Sequence, residues 1–245
     1  MWTVTNKTPF AADRTLVCDR DGAMNWVVVV KGTFLIHPDG STVVADEQVP
    51  VCIEPVYRGE PDTSSLLYDI DVVQTKPTTD ILLHGHAYAP KGQPAFALDA
   101  TMQVAGITKT VRATGDRTWE RAVAGLRLTD PQPFLKMPIT YERAFGGGDK
   151  PTPDVKNPRW DRRNPVGVGY AANSDALIGQ PAPNIEDPQQ PISAVRIKTH
   201  PIGFGPIGRH WVPRVDWAGT YDETWEKERL PLLPRDFDDR FYQCA

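Results

Sequence analysis

PAFALDATMQVAGITKTVRATG, residues 94–115, carries the cleanest alternation of apolar and polar side chains in the chain. Phe96, Leu98, Ala100, Met102 and Val104 fall on one face of an extended backbone, and Asp99, Thr101 and Gln103 on the other, because successive strand side chains point to opposite sides. Gly106 interrupts the run, and Ile107, Val111 and Ala113 then alternate with Thr108, Thr110 and Arg112. Two such runs joined at a glycine predict an antiparallel hairpin with one face on a core and the other toward water.

Working outward, the text on either side is also strand and turn. NWVVVVKGTFLI, residues 25–36, is β-branched and almost continuously apolar, which predicts a strand buried on both faces or in a sandwich core. HPDGST follows, where Asp39-Gly40 predicts the positive φ angles of a tight hairpin turn, with Thr42 to Ala45 pairing back. Ile81 to Tyr88 reads as a neighbouring strand. Several short strands at this spacing make the fold class mainly β, an antiparallel sandwich or open barrel.

Past residue 130 the composition changes. Sixteen of the 24 prolines lie in the last 115 residues, and proline both withholds a ladder donor and restricts the residue before it. The same half holds Trp160, Trp211, Trp217 and Trp225, too many large aromatics for a disordered tail. The expectation is one domain over residues 1–245: a β-sheet core in 1–130, and in 131–245 an irregular proline- and aromatic-rich layer that wraps it, with one or two short helices. One helix is signalled by Thr220-Tyr221-Asp222-Glu223, a capping box in which the Thr220 hydroxyl accepts from the Glu223 amide. Lys227 and Arg229 suit its C-terminal end, Pro231 stops it, and Tyr221 and Trp225 share a face.

The totals narrow the function classes. At 245 residues, 40% hydrophobic and 24% charged, the composition is that of a globular protein. A net charge of −4 with interspersed signs disfavours nucleic acid or an anionic membrane as partner. Cys18, Cys52 and Cys244 are odd in number and lack a CxxC spacing, which speaks for a reducing compartment and against a disulfide framework. No signal-peptide pattern opens the chain and the longest apolar run, Trp26 to Val30, is short, so the expected location is the cytoplasm. Asn6-Lys7-Thr8 matches a glycosylation sequon and, without a secretory signal, reads as chance.

Candidate chemistry is sparse. Gly203-Phe204-Gly205-Pro206-Ile207-Gly208 fits a dinucleotide fingerprint by letters, but Pro206 removes an amide where donors are needed and no strand feeds a helix there, so it reads as a glycine-rich turn. Gly146-Gly147-Gly148 lacks the lysine–hydroxyl pair of a nucleotide loop and reads as a flexible turn. His84 and His86, two apart on the expected strand, would project from one face; a third metal ligand would have to come from His37, His200, His210 or a carboxylate. No GxSxG or HExxH occurs. No cofactor is expected, and neither catalytic nor metal-binding residues are assigned. Glu142 and Arg143, between two apolar stretches, read either as an ion pair pinning the glycine loop or as a recognition site for a partner. Trp160, Phe204, Trp211, Trp217 and Tyr221 read mainly as packing anchors, with one or two free to face a partner.

Seven stretches, taken in order, resemble one bacterial family. They are TPFAADRTLVCDRDGAMNWVVVVKGTF, GDRTW, PFLKMPITYERAFGG, NPVGVGY, GFGPIGRHWVPR, AGTYDETW and RLPLLPRDFDDRFYQCA. The family is domain of unknown function 2169, and the resemblance covers essentially the whole chain. It implies a type VI secretion adaptor or chaperone, which helps an effector toxin mount on the valine-glycine repeat spike protein. No catalytic residues come with it. Members of that family run on past the equivalent of DFDDRFYQCA; a missing part that included strands would leave a sheet edge open to a partner. The partner-binding candidates are therefore Trp160, Phe204, Trp211, Trp217, Tyr221, Glu142 and Arg143. The competing expectations are a metal-assisted hydrolase using His84 and His86, and a carbohydrate-binding sandwich stacking sugars on exposed tryptophans.

Overall fold

The computed structural model describes residues 3–123, 125–149 and 159–245, so residues 150–158 of the expected wrapping layer lie outside it. The chain is mainly β, 31% strand and 10% helical, built of several short antiparallel sheets, none closed into a barrel. It divides into two compact units: residues 1–56, 68–79 and 214–244, and residues 57–67, 80–213 and 245. Each unit draws on sequence from both sides of residue 130.

In the first unit, β1 (Ala11–Cys18) and β2 (Met24–Lys31) form a hairpin in which Leu16 faces Trp26 and Arg14 faces Val28. β3 (Phe34–Ile36) and β4 (Thr42–Val44) form a second. The single long strand expected over residues 25–36 is thus two strands, broken at Gly32-Thr33, where the Gln48 side chain takes the Thr33 amide and carbonyl. Nor is it buried on both faces: β2 alternates strictly between exposed and half-buried positions. Between β3 and β4 only Gly40 adopts positive φ, at 84°; Asp39 instead uses its carboxylate to accept from the Ser41 amide and hydroxyl, an Asx turn rather than the two-residue turn expected.

Polar pins tie the distant segments of this unit together. Arg214, almost fully buried, donates to Asp69 at 2.7 Å and to the Phe241 carbonyl at 2.9 Å. Lys31 reaches Asp71 at 2.7 Å, and the same carboxylate oxygen takes the Cys52 amide. The helix α1 (Glu223–Glu228) starts later than the capping box implies. Its cap is Asp222, which accepts from the Trp225 amide at 2.8 Å, because the Thr220 hydroxyl and amide are both spent on Asp236. Tyr221 and Trp225 do meet, edge to face at 4.7 Å.

The chain passes between the units at β5 (Val56–Tyr57) and β6 (Leu66–Tyr68). In the second unit β7 (His86–Tyr88) is all of the strand expected over Ile81 to Tyr88; upstream of it the Leu83 amide is taken by the Phe204 carbonyl. The hairpin that opened the sequence reading is present as β8 (Ala97–Val104) and β9 (Ile107–Thr114), in register from Ala97↔Thr114 to Val104↔Ile107. β10 (Trp119–Ala122) pairs with β11 (Gly125–Leu128), and β12 (Lys136–Pro138) pairs with β7. β13 (Phe145–Gly146) and β14 (Val168–Gly169) form a short parallel pair, and β15 (Ile185–Glu186) adds to β9, giving a three-stranded sheet in the order β15-β9-β8. Among the described residues, all four eight-residue strands precede residue 130 and the strands after it have two or three residues, as the proline content dictates.

Both clusters of buried apolar side chains belong to the second unit. One joins Val111 and Ala113 of β9 to Met137, Ile139, Tyr141, Phe204 and Trp211; the other centres on Trp119, Phe145 and Leu177. Each fully buried large side chain contributes roughly 1.5–3 kcal/mol.

Candidate functional site

The large apolar side chains left in water concentrate on the hairpins of the first unit. Residues facing one another across an antiparallel pair share a face, so Cys18, Leu16, Arg14 and Ala12 of β1 lie beside Met24, Trp26, Val28 and Val30 of β2 in turn. That face is open: Trp26 is 48% exposed, and Val28 and Val30 are 56% exposed. Phe34, Leu35, Ile36, Val43 and Val44 of β3 and β4 are exposed as well. The β1–β2 stripe alone presents about 500 Å² of apolar surface, beyond what isolated exposed residues explain and at the size that marks interaction sites.

The side chains singled out from sequence fall into three groups. Trp160 (55% exposed) and Tyr221 (54%) are open to a partner. Phe204 and Trp211 are core residues, with Trp211 edge-on to Tyr141 at 5.4 Å. Gly208 carries no side chain because a Cβ there would sit 2.9 Å from the Trp211 indole. Trp217 is half-buried under the Arg240 guanidinium, 4.9 Å from its ring centroid. Glu142 and Arg143 point to different partners. Glu142 accepts from the Ser65 amide at 2.7 Å; burial pushes its carboxyl up, but hydrogen bonds from Ser65, Thr140 and its own amide together hold it below the ordinary carboxylate value. Arg143 donates to Asn184 at 2.9 Å and lies 3.8 Å from Asp116.

These bonds make the YERAFGG stretch a structural knot. The fully buried Asn164 side chain donates to the Tyr141 and Phe145 carbonyls, and Gly147, at φ 82°, lets the Gly167 carbonyl approach to 2.3 Å from where a Cβ would stand. In the GDRTW stretch Arg117 pairs with Glu186 at 3.0 Å in the interior, and Glu186 also accepts from the Thr114 hydroxyl and the Ile192 amide.

The histidines do not converge. His84 lies outside the strand, and its Nδ1 is 2.8 Å from the Arg58 guanidinium; burial and that cation lower its pKa from 6.5. A cation beside the ring opposes a metal ion, and no group of three or more His, Cys, Asp or Glu that could hold one occurs among the described residues. A cavity of about 670 Å³ lies against Gly146–Asp149 and Gly167–Asn173. Its carboxylate, Asp149, is already engaged by the amides of Ala172 (2.8 Å) and Arg159 (3.1 Å). The Gly203–Gly208 stretch is irregular and leads into no helix, so it cannot aim amides at a pyrophosphate.

Sequence reasoning missed the exposed β2 face. An unbroken apolar run looks the same whether both faces are covered or one is left open; the only signal was Trp26 sharing parity with Met24, Val28 and Val30.

No helix among the described residues is long and apolar enough to cross a membrane. No curated protein and no solved structure matches the chain. A family described as uncharacterized protein conserved in bacteria (DUF2169) matches over residues 21–245, the span that holds the GDRTW, YERAFGG and GFGPIG stretches whose packing has just been described. The chain belongs to the DUF2169 family.

Proposed function

We propose that the chain is a non-enzymatic adaptor: it holds a type VI secretion effector and helps load it on the valine-glycine repeat spike protein in the bacterial cytoplasm. The observation that carries this is the open apolar face of β1 and β2, Leu16, Met24, Trp26, Val28 and Val30, in a unit to which neither buried cluster belongs. Such a face costs solubility unless another polypeptide covers it. The face carries no carboxylate, and Glu142, Arg143 and His84 are each engaged in a hydrogen bond to another part of the fold, which suits gripping a protein rather than breaking bonds. Of the aromatic candidates singled out from sequence, Trp160 and Tyr221 are open to a partner.

The test is co-expression with a type VI effector toxin, taken from the neighbouring genes where one is encoded there, followed by size exclusion. An adaptor raises the yield of soluble toxin and elutes with it. Unchanged toxin solubility and elution would refute the proposal.

A further inference from the structure

β8 is the outer strand of the β15-β9-β8 sheet, and its geometry specifies what can sit beside it. The β8–β9 turn is the two-residue type, Ala105 at φ 47° and Gly106 at φ 84°. Val104 and Ile107, which flank it, therefore form a bonded pair. From there the alternation of an antiparallel ladder spends the amides and carbonyls of Met102, Ala100 and Leu98 on β9 and turns those of Gln103, Thr101 and Asp99 outward. One residue of the same parity shows what the edge accepts: Ala95 exchanges both hydrogen bonds with Phe134, at 3.0 and 2.9 Å, in an antiparallel bridge. Beyond it, no backbone hydrogen bond from another described residue reaches Asp99, Thr101 or Gln103.

Sheet edges are normally guarded by lysine, proline or a bulge. β8 has none of these. Its one charge, Asp99, is neutralised by a two-pronged contact with Arg112 at 2.7 and 3.0 Å. On the core side Leu98, Ala100 and Met102 are only half-covered although they pack against the buried cluster. On that same side Lys109, directly across from Met102, has no ion-pair partner among the described residues, and burial pulls its pKa down.

We propose that the outer edge of β8 receives an extended segment of the protein partner, running antiparallel, with apolar side chains opposite Leu98 and Ala100 and a carboxylate opposite Met102 that pairs with Lys109. The added strand would lie about 9–10 Å from β9, two strand spacings, a distance that a glutamate and a lysine bridge between them. Backbone bonding supplies the affinity, and the alternation with its one carboxylate supplies the selectivity. This assignment rests on the protein-binding proposal above and names the kind of segment held.

The probe is a fluorescein-labelled peptide, Thr-Glu-Thr-Val-Thr-Val-Thr, titrated with the full chain and followed by anisotropy. Saturable binding is expected, weakened at least about tenfold by Thr101→Pro, which deletes an outward amide and leaves the backbone bonds to β9 in place, at the loss of the side-chain bond to Thr110. N-methylation of the two interior threonines of the peptide should abolish binding with the protein unaltered, so the outcome does not depend on how Thr101→Pro folds. Changing the peptide's glutamate to glutamine should weaken binding to the parent chain but not to Lys109→Met. Lack of saturation, or N-methylated peptide bound as tightly as the parent, overturns the proposal. So does a homodimer by light scattering that Thr101→Pro dissolves, because the edge would then belong to a second copy. A chain that holds the toxin in co-expression yet ignores this peptide sinks the edge assignment alone.

Discussion

Replacing Trp26 and Val28 together by lysine tests the adaptor surface most directly. At 48% and 56% exposure the two side chains present about 120 and 85 Å² to water. Covering that area completely is worth about 5 kcal/mol at 25 cal/mol per Å². If a third of it is realised at the contact, about 1.7 kcal/mol, affinity still falls more than tenfold, before the cost of desolvating two ammonium groups. Folding should barely notice, because these side chains already stand in water and a lysine stem can lie along the strand; a loss within about 1 kcal/mol is expected. The opposite parity is the control. Val27 and Val29 are half-buried on the other face, so lysine there should cost clearly more stability. The assay pairs a thermal melt of each variant with co-elution of the toxin. A Trp26→Lys/Val28→Lys chain that melts like the parent and retains as much toxin refutes the assignment of this face.

Either Glu186→Gln or Arg117→Met should cost about 3–5 kcal/mol in urea unfolding, because each strands a buried partner in the contact now closed at 3.0 Å; a change under 1 kcal/mol would contradict that burial. Gly147→Ala, with φ 82° and a carbonyl 2.3 Å from its Cβ, should destabilise by more than about 2 kcal/mol, whereas Gly40→Ala, with φ 84° but open space around it, should cost about 1 kcal/mol. His84 titrates below its ordinary 6.5 when folded, so the unfolded chain takes up that proton first and stability falls as pH drops through 6.5. His84→Asn should flatten the urea midpoint between pH 5 and 6.5 relative to the parent; an unchanged slope would show that His84 is not a source of it.

Local alternation was the most legible signal. The β8–β9 hairpin was readable almost to the residue because one face is apolar, the other polar, and a glycine marks the turn. The β3–β4 hairpin was readable too, although Asp39 acts through its carboxylate. What sequence could not supply was which distant segments share a unit. Arg214 meets Asp69 across 145 positions, a pairing no periodicity encodes. The cap of α1 was misplaced by two residues because Asp236, which claims Thr220, lies sixteen positions downstream. For the partner-binding residues, aromatic identity could not separate Phe204 and Trp211, which enter the core, from Trp160 and Tyr221, which stay outside. Burial is decided by the whole fold.

Because both apolar clusters reside in the second unit, the two units differ in what holds them against thermal opening. Beside the packed rings of Phe237, Phe241 and Tyr242, the first draws on ion pairs such as Arg214–Asp69 and Lys31–Asp71, whose strength is traded against hydration. It should open sub-globally, as one cooperative block, at a free energy well below that of complete unfolding. Deuterium would enter the amides of β1 and β2 early and those of Val111 and Ala113 last. In the adaptor role proposed, such a loose half would let the load go without dismantling the rest of the chain.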